Sequence, residues 1–223
     1  MSPRVAVGPL DPALVRDNVE RVRERIAAAA ARAGRADAEQ IELCAAVKYV
    51  AAADMAALAQ AGVKLVGENR AQDLEAKATR APGAFTWDFI GHLQSRKVKL
   101  VLPHVRLIHS VASESVLAQL ERHADPSTQV LVEVNTSGEP SKSGVAPGDL
   151  DGFVERCPVT VAGLMTMPPP TDHPDDSRSH FAALRQLAER LGLERLSMGT
   201  TQDFEVAVEE GATIVRVGSV LYG

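Results

Sequence analysis

Apolar residues in this chain fall into short clusters separated by longer stretches of helical periodicity, and the alternation runs from one end to the other. Clusters rich in β-branched and aliphatic residues, flanked by Gly, Asp and Asn, predict strands at 41–47, 64–67, 87–91, 106–110, 129–135, 159–165, 195–198 and 213–217. Between them the spacing predicts helices near 52–61, 69–80, 94–101, 113–123, 147–155, 175–191 and 203–210. A further helix, about 11–33, precedes the first strand. Asp11-Pro12 supplies its N-cap with proline at the first helical position, Gly34 its stop, and the alanines at 27–31 favour helix. Pro168-Pro169-Pro170 and the polar stretch 171–179 predict the longest loop, lying over the mouth of the fold after the sixth strand.

Eight strands alternating with helices predict a parallel sheet, and eight is the number that closes a barrel. The expected fold class is therefore α/β: one (β/α)8 TIM barrel with an extra N-terminal helix, spanning residues 1–223 as a single domain. An open doubly wound sheet is the competing architecture. It usually carries a glycine-rich first βα turn, whereas the first turn here is Val47-Lys48-Tyr49-Val50.

Composition narrows the function. The 223 residues are 45% hydrophobic, enough for one sizeable core. Lys+Arg 24 against Asp+Glu 29 gives a charge of -5, which offers no general attraction to nucleic acid or anionic membrane. Arg96-Lys97-Val98-Lys99 is the only basic run, and it reads as a solvated helix face. No apolar run approaches the roughly 18 residues of a membrane span, and Asp11, Asp17 and Glu20 interrupt any leader-like core in the first twenty residues. Cys44 and Cys157 lack CxxC spacing and read as buried thiols of a cytoplasmic protein. The histidines (His92, His104, His109, His123, His173 and His180) are scattered without the spacing of a helical metal pair, so no metal site is expected.

Barrels bind ligands at the carboxyl ends of their strands, with phosphate at the last two βα turns. The polar residues expected there are Lys48, Glu68 and Asn69, His92, Ser110, Asn135, Met165-Thr166, then Ser197, Gly199, Thr200 and Thr201, and finally Arg216, Gly218 and Ser219. In Ser197-Met198-Gly199-Thr200-Thr201-Gln202-Asp203-Phe204, Gly199 admits close backbone approach, while threonine hydroxyls and helix-start N–H groups can donate to phosphate. Val217-Gly218-Ser219 supplies a second small turn. Plain helix capping by Thr200 and Asp203 explains the first turn equally well.

Lys48 ends the apolar run Leu43-Cys44-Ala45-Ala46-Val47. Alone it reads as a surface lysine. Opposite a phosphate cradle it is the amine that a phosphorylated aldehyde needs, since apolar walls and nearby cations make a lysine more nucleophilic. Arg216 lies in the buried-looking strand Ile214-Val215-Arg216-Val217-Gly218. Either it pairs with a carboxylate such as Glu68, or it faces the pyridine nitrogen of the cofactor. An arginine accepts no proton and so leaves that nitrogen unprotonated, which makes a poor electron sink and argues against transamination-type chemistry.

Several motifs together resemble the pyridoxal-phosphate homeostasis family. They are Ala46-Val47-Lys48, Gly67-Glu68-Asn69, Phe89-Ile90-Gly91-His92-Leu93-Gln94-Ser95, Gly163-Leu164-Met165-Thr166-Met167, Leu196-Ser197-Met198-Gly199 and Glu210-Gly211-Ala212-Thr213-Ile214-Val215-Arg216-Val217-Gly218, in the family's order from about residue 13 onward. The resemblance implies a fold like the N-terminal barrel of alanine racemase and an internal aldimine of pyridoxal 5′-phosphate on Lys48. It also implies that Arg216 faces the pyridine nitrogen, with Thr201 (usually Ser), Gly218 and Ser219 around the phosphate and Asn69, His92 and Met165 lining the mouth. Val47 and Tyr49 replace the usual Ser and Thr beside the lysine, and Thr200 replaces a usual Met.

The function so implied is cofactor homeostasis without an established catalytic reaction: holding pyridoxal 5′-phosphate, buffering it and passing it to apo-enzymes. An amino-acid racemase is the alternative. It needs a second acid/base, which in alanine racemases comes from a following β-domain of the partner subunit. This sequence stops soon after its eighth strand, at Gly223, so that domain is expected to be missing and a monomer is favoured. A barrel holding another phosphorylated metabolite, with no bond to Lys48, is the third reading.

Overall fold

A computed structural model describes residues 9–139 and 142–223; part of the leader expectation, at residues 1–8, lies outside them. Its eight strands are β1 (Glu42–Ala46), β2 (Leu65–Glu68), β3 (Thr86–Phe89), β4 (Leu107–Val111), β5 (Gln129–Glu133), β6 (Thr160–Met165), β7 (Arg195–Ser197) and β8 (Ile214–Val217). They pair in parallel in sequence order, and β8 returns to β1 in the register Cys44↔Arg216 and Ala45↔Val217, so the barrel is closed. Closure removes every sheet edge and rules out the open doubly wound alternative. The helices are α1 (Pro12–Arg32), α2 (Met55–Gln60), α3 (Ala71–Arg80), α4 (Val98–Val101), α5 (Glu114–His123), α6 (Leu150–Glu155), α7 (Arg178–Leu191), α8 (Phe204–Glu209) and α9 (Ser219–Tyr222).

Strand periodicity sorts the side chains into two cores. Cys44, Ile90, Leu107, Leu131, Met165 and Ile214 pack together inside the barrel. Their odd-even partners, such as Ala45, Val66, Phe89, Ile108, Val132 and Val215, join the larger sheath beneath the helices. Each such buried aliphatic side chain contributes about 1.5–3 kcal/mol. The same parity places Arg216, in phase with Ile214, on the inner wall, whereas Lys48 lies beyond the end of β1, in the turn that follows it.

α1 begins and ends as its sequence dictates. The Asp11 carboxylate accepts from the Ala13 N–H at 2.9 Å. At the other end Gly34 takes φ +69°, its N–H reaches the Ala31 carbonyl, and the Arg35 N–H reaches that of Ala30, the double bond of a Schellman stop. Arg35 then donates to the Val208 and Ala212 carbonyls, tying α1 to the end of α8.

Two expectations change. The stretch after β6 is irregular only over 166–173, because a short 3-10 turn at Pro174–Ser177 leads into α7. Proline at the first position of that turn has its φ preset for it. The connection from β5 to the 3-10 turn at Pro147–Asp149 is longer. Cys44 is buried as expected, but Cys157 is only half-buried. Among the described residues no helix is long and apolar enough to cross a membrane.

Candidate functional site

Lys48 stands in the turn that follows β1, exposed, with its ammonium 4.7 Å from the centre of the Tyr49 ring. It lines a cavity of about 260 Å³ together with Tyr49, Arg70, Asp73 and Lys77. The turn is held from below. Buried Lys77 of α3 donates to the Val47 carbonyl at 2.7 Å and to the Glu68 carboxylate at 2.5 Å. Glu68 also accepts from the N–H groups of Asn69 and Arg70. One buried ion pair thus fixes the backbone immediately before Lys48 and the start of the next turn.

The turns after β7 and β8 meet on the same rim. Gly199 has φ +88°, and a Cβ there would come 2.5 Å from the Ala207 Cβ and 2.9 Å from the Phe204 Cα, so only glycine fits. The Gly218 N–H donates to the Thr201 hydroxyl at 3.1 Å, bringing the two turns together. The N–H groups of Thr201 and Gln202 have no partner among the described residues. Ser219 is exposed beside them. Thr200 turns away: its N–H and hydroxyl both donate to the Asp203 carboxylate, at 2.7 and 3.0 Å. Thr200 is engaged with Asp203, the residue at the N-cap of α8, although no side chain among the described residues caps that helix, and the hydroxyl that faces the Gly218 turn is that of Thr201.

Arg216 is 4% exposed on the inner wall. It does not pair with Glu68, which Lys77 occupies, and no carboxylate among the described residues lies within salt-bridge distance of it. Its guanidinium donates instead to neutral acceptors, the Ser197 hydroxyl and the Thr166 carbonyl at 3.0 Å, and rests 3.6 Å from the Met167 sulfur. Burial holds its pKa below the ordinary arginine value. Ser197, fully buried, is therefore a support beneath Arg216.

Of the other expected positions, Met165 is buried in the apolar layer inside the barrel, and His92 is exposed on the rim. Asn69 is half-buried with its Oδ1 lacking any partner; its backbone packs so closely on Gly91 that a Cβ there would collide with it. Ser110 donates to the Gly91 carbonyl, and Asn135 orders the loop after β5. The two tyrosines differ: Tyr49 is exposed, while buried Tyr222 donates to the Ala46 carbonyl at 3.2 Å, and burial raises its pKa.

Three buried polar residues were missed by reading only the strand ends: Asp88, His109 and Glu133. Each interrupts an apolar strand at an inward-facing position, as Arg216 does, and that interruption was the available signal. Burial raises the pKa of Glu133, partly offset by Ser143, His92 and Arg216. Asp88 and His109 form a hydrogen-bonded series with Ser197 beneath Arg216.

A closed parallel barrel with a lysine after its first strand, an arginine inside its last and small-residue turns after its final two strands is of the alanine racemase N-terminal domain type, whose family model matches residues 13–223. Within it, the chain belongs to the pyridoxal phosphate homeostasis protein family. It is similar to the "Pyridoxal phosphate homeostasis protein" of Aquifex aeolicus, at 40% identity over 221 residues, covering 93% of this chain and 96% of that relative. Among solved structures it is similar to an unknown protein from Bifidobacterium adolescentis, with TM-score 0.85, 35% identity and 95% of each chain covered. It is also similar to PipY of Synechococcus elongatus with PLP bound, with TM-score 0.75 and 30% identity over 91% of this chain and all of that one (100%).

Proposed function

We propose that this protein binds pyridoxal 5′-phosphate at the carboxyl mouth of the barrel through a Schiff-base linkage to Lys48. In this role it buffers the cofactor and delivers it to apo-enzymes, with no catalytic reaction of its own. The carrying observation is Arg216, a buried cation partnered, among the described residues, only by a hydroxyl, a carbonyl and a thioether. Such a group costs several kcal/mol to bury unless a polar ligand completes its shell. A pyridine nitrogen is an acceptor of the required kind.

The surrounding residues fit the cofactor's other groups. The N–H groups of Thr201 and Gln202, the Thr201 hydroxyl and the turn at Gly218-Ser219 suit a phosphate, with Gly199 keeping the approach open. The unpartnered Oδ1 of Asn69 suits a hydroxyl or N–H donor, and His92 on the rim and Met165 in the wall complete the expected set. When bound, the cofactor supplies an electrophilic aldehyde carbon and a conjugated ring. Arg216 keeps that ring's nitrogen unprotonated and so limits its capacity to stabilise a carbanion, which favours holding over turnover. PipY, with PLP bound, and relatives named for pyridoxal phosphate homeostasis support this reading. For the racemase alternative, Tyr222 is spent on the Ala46 carbonyl, which leaves it unsuited as a second base.

The test is the visible spectrum with added pyridoxal 5′-phosphate, then borohydride reduction and peptide mass mapping. A band that bleaches, with the phosphopyridoxyl mass on Lys48 and lost in Lys48→Ala, is the expected result. Label spread over surface lysines overturns the assignment. Release of an amino acid's α-proton into deuterated solvent above the rate with free cofactor would favour the racemase.

A further inference from the structure

Beneath Arg216 a polar series runs through the barrel interior, and with a neutral imidazole its members have one consistent assignment of hydrogens. The guanidinium can only donate, so the Ser197 oxygen accepts from it. The Ser197 hydroxyl hydrogen is then directed to His109 Nδ1, 2.8 Å away. That nitrogen must offer a lone pair, so the neutral imidazole carries its hydrogen on Nε2, 3.1 Å from Asp88 Oδ2. Asp88 accepts in turn from Arg106 at 3.1 and 2.8 Å, and Arg106 is clasped by Glu42 at 2.5 and 3.0 Å at the opposite opening. His109 and Asp88 are both 0% exposed, so these bonds are shut off from bulk solvent.

We infer that His109, fixed as its Nε2–H tautomer by Asp88, is a positioning residue that orients Arg216 toward the mouth through Ser197. The inference rests on the cofactor reading for what Arg216 faces, but not for the order of the series. The charged groups near the imidazole are Asp88 from β3, Arg106 just before β4 and Arg216 from β8. Burial, Arg216 and Arg106 hold the imidazole neutral, against the pull of Asp88. A neutral histidine beside the arginine leaves the guanidinium as the only positive charge at that level. A protonated one would carry a hydrogen on Nδ1 and strand the Ser197 hydroxyl hydrogen without an acceptor.

Two measurements decide it. Nitrogen-15 NMR of the histidines in the cofactor-free protein should show His109 neutral, with its hydrogen on Nε2 from pH 6 to 8. The Arg216 Nε–H signal should be sharp in the native protein and broadened in Asp88→Asn, where the tautomer is no longer fixed. With pyridoxal 5′-phosphate, Asp88→Asn and His109→Leu should bind about ten- to a hundredfold more weakly, by analogy with the loss when the outer partner of a metal ligand is removed. His109→Asn, whose carboxamide oxygen takes the place of Nδ1, should recover most of that loss. Circular dichroism in the same samples checks folding, and Ser197→Ala carries the affinity measurement if Asp88→Asn does not fold. An Nδ1–H or charged His109, or an Arg216 signal indifferent to Asp88→Asn, overturns the proposal; so does unchanged cofactor affinity in folded variants. If the native chain takes up no cofactor on Lys48, the functional reading falls, and the tautomer and the Arg216 signal still decide this inference.

Discussion

Gly199 shows how much one missing methyl group decides. Its φ of +88° and the nearness of Ala207 and Phe204 leave no space for a side chain. Gly199→Ala should therefore destabilise the fold by about 2–3 kcal/mol, combining backbone strain with overpacking. It should also weaken uptake of pyridoxal 5′-phosphate, since the turn it distorts is half of the proposed cradle. Thermal unfolding and a binding titration on the same protein check both. This glycine was legible because a turn between a strand end and a helix start calls for a residue that tolerates positive φ. The division of labour between its neighbours was not. Thr200 and Thr201 are adjacent and chemically identical, and only the folded turn gives one to the Asp203 carboxylate and the other to the Gly218 N–H.

Among the elements, α3 does more than cover the sheet. It sends Lys77 under the turn that carries Lys48, where it meets Glu68 from the end of β2. The pair is almost wholly buried, with side-chain exposures of 6% and 0%. Removing one partner leaves the other as an uncompensated charge. Lys77→Met should cost about 3–5 kcal/mol in denaturant unfolding, and Lys77→Met with Glu68→Gln should recover part of it. If the single variant unfolds like the native protein, the pair is not what holds the turn. In the sequence Lys77 is one of several charged residues on an amphipathic helix, and its inward aim depends on how α3 docks. The capped ends of α1, by contrast, were fully written in Asp11-Pro12 and Gly34.

Across the whole barrel, the end opposite Lys48 is closed by charge. Glu42, Asp88 and Arg106, from or beside three different strands, meet there, and Asp88 is fully buried. Burial opposes the Asp88 carboxylate, but hydrogen bonds from His109 and Arg106 outweigh it and hold its pKa below the ordinary 3.8. A carboxyl depressed in this way stabilises the fold above its unfolded value, and the contribution is lost as pH falls through the folded one. Arg106→Leu should therefore destabilise by about 2 kcal/mol at pH 7, the partial exposure of Arg106 softening the loss. The gap from the native protein should narrow below pH 3.8 as the carboxyl protonates. Chemical denaturation at pH 7 and pH 3 measures the gap, and one of constant size would show that Asp88 does not depend on Arg106.

The order and number of strands and the extra helix could be read from the chain, because periodicity, capping and turn chemistry act over a few neighbouring residues. The series from Arg216 to Glu42 could not. Glu42, Asp88, the near neighbours Arg106 and His109, Ser197 and Arg216 come from five strands or their edges, and each alone reads as an isolated polar residue in or beside a strand. Barrel closure and register bring them within hydrogen-bond distance inside one narrow interior. Direction along that series is a further step, since it follows from which atoms can donate and which can only accept once they are adjacent.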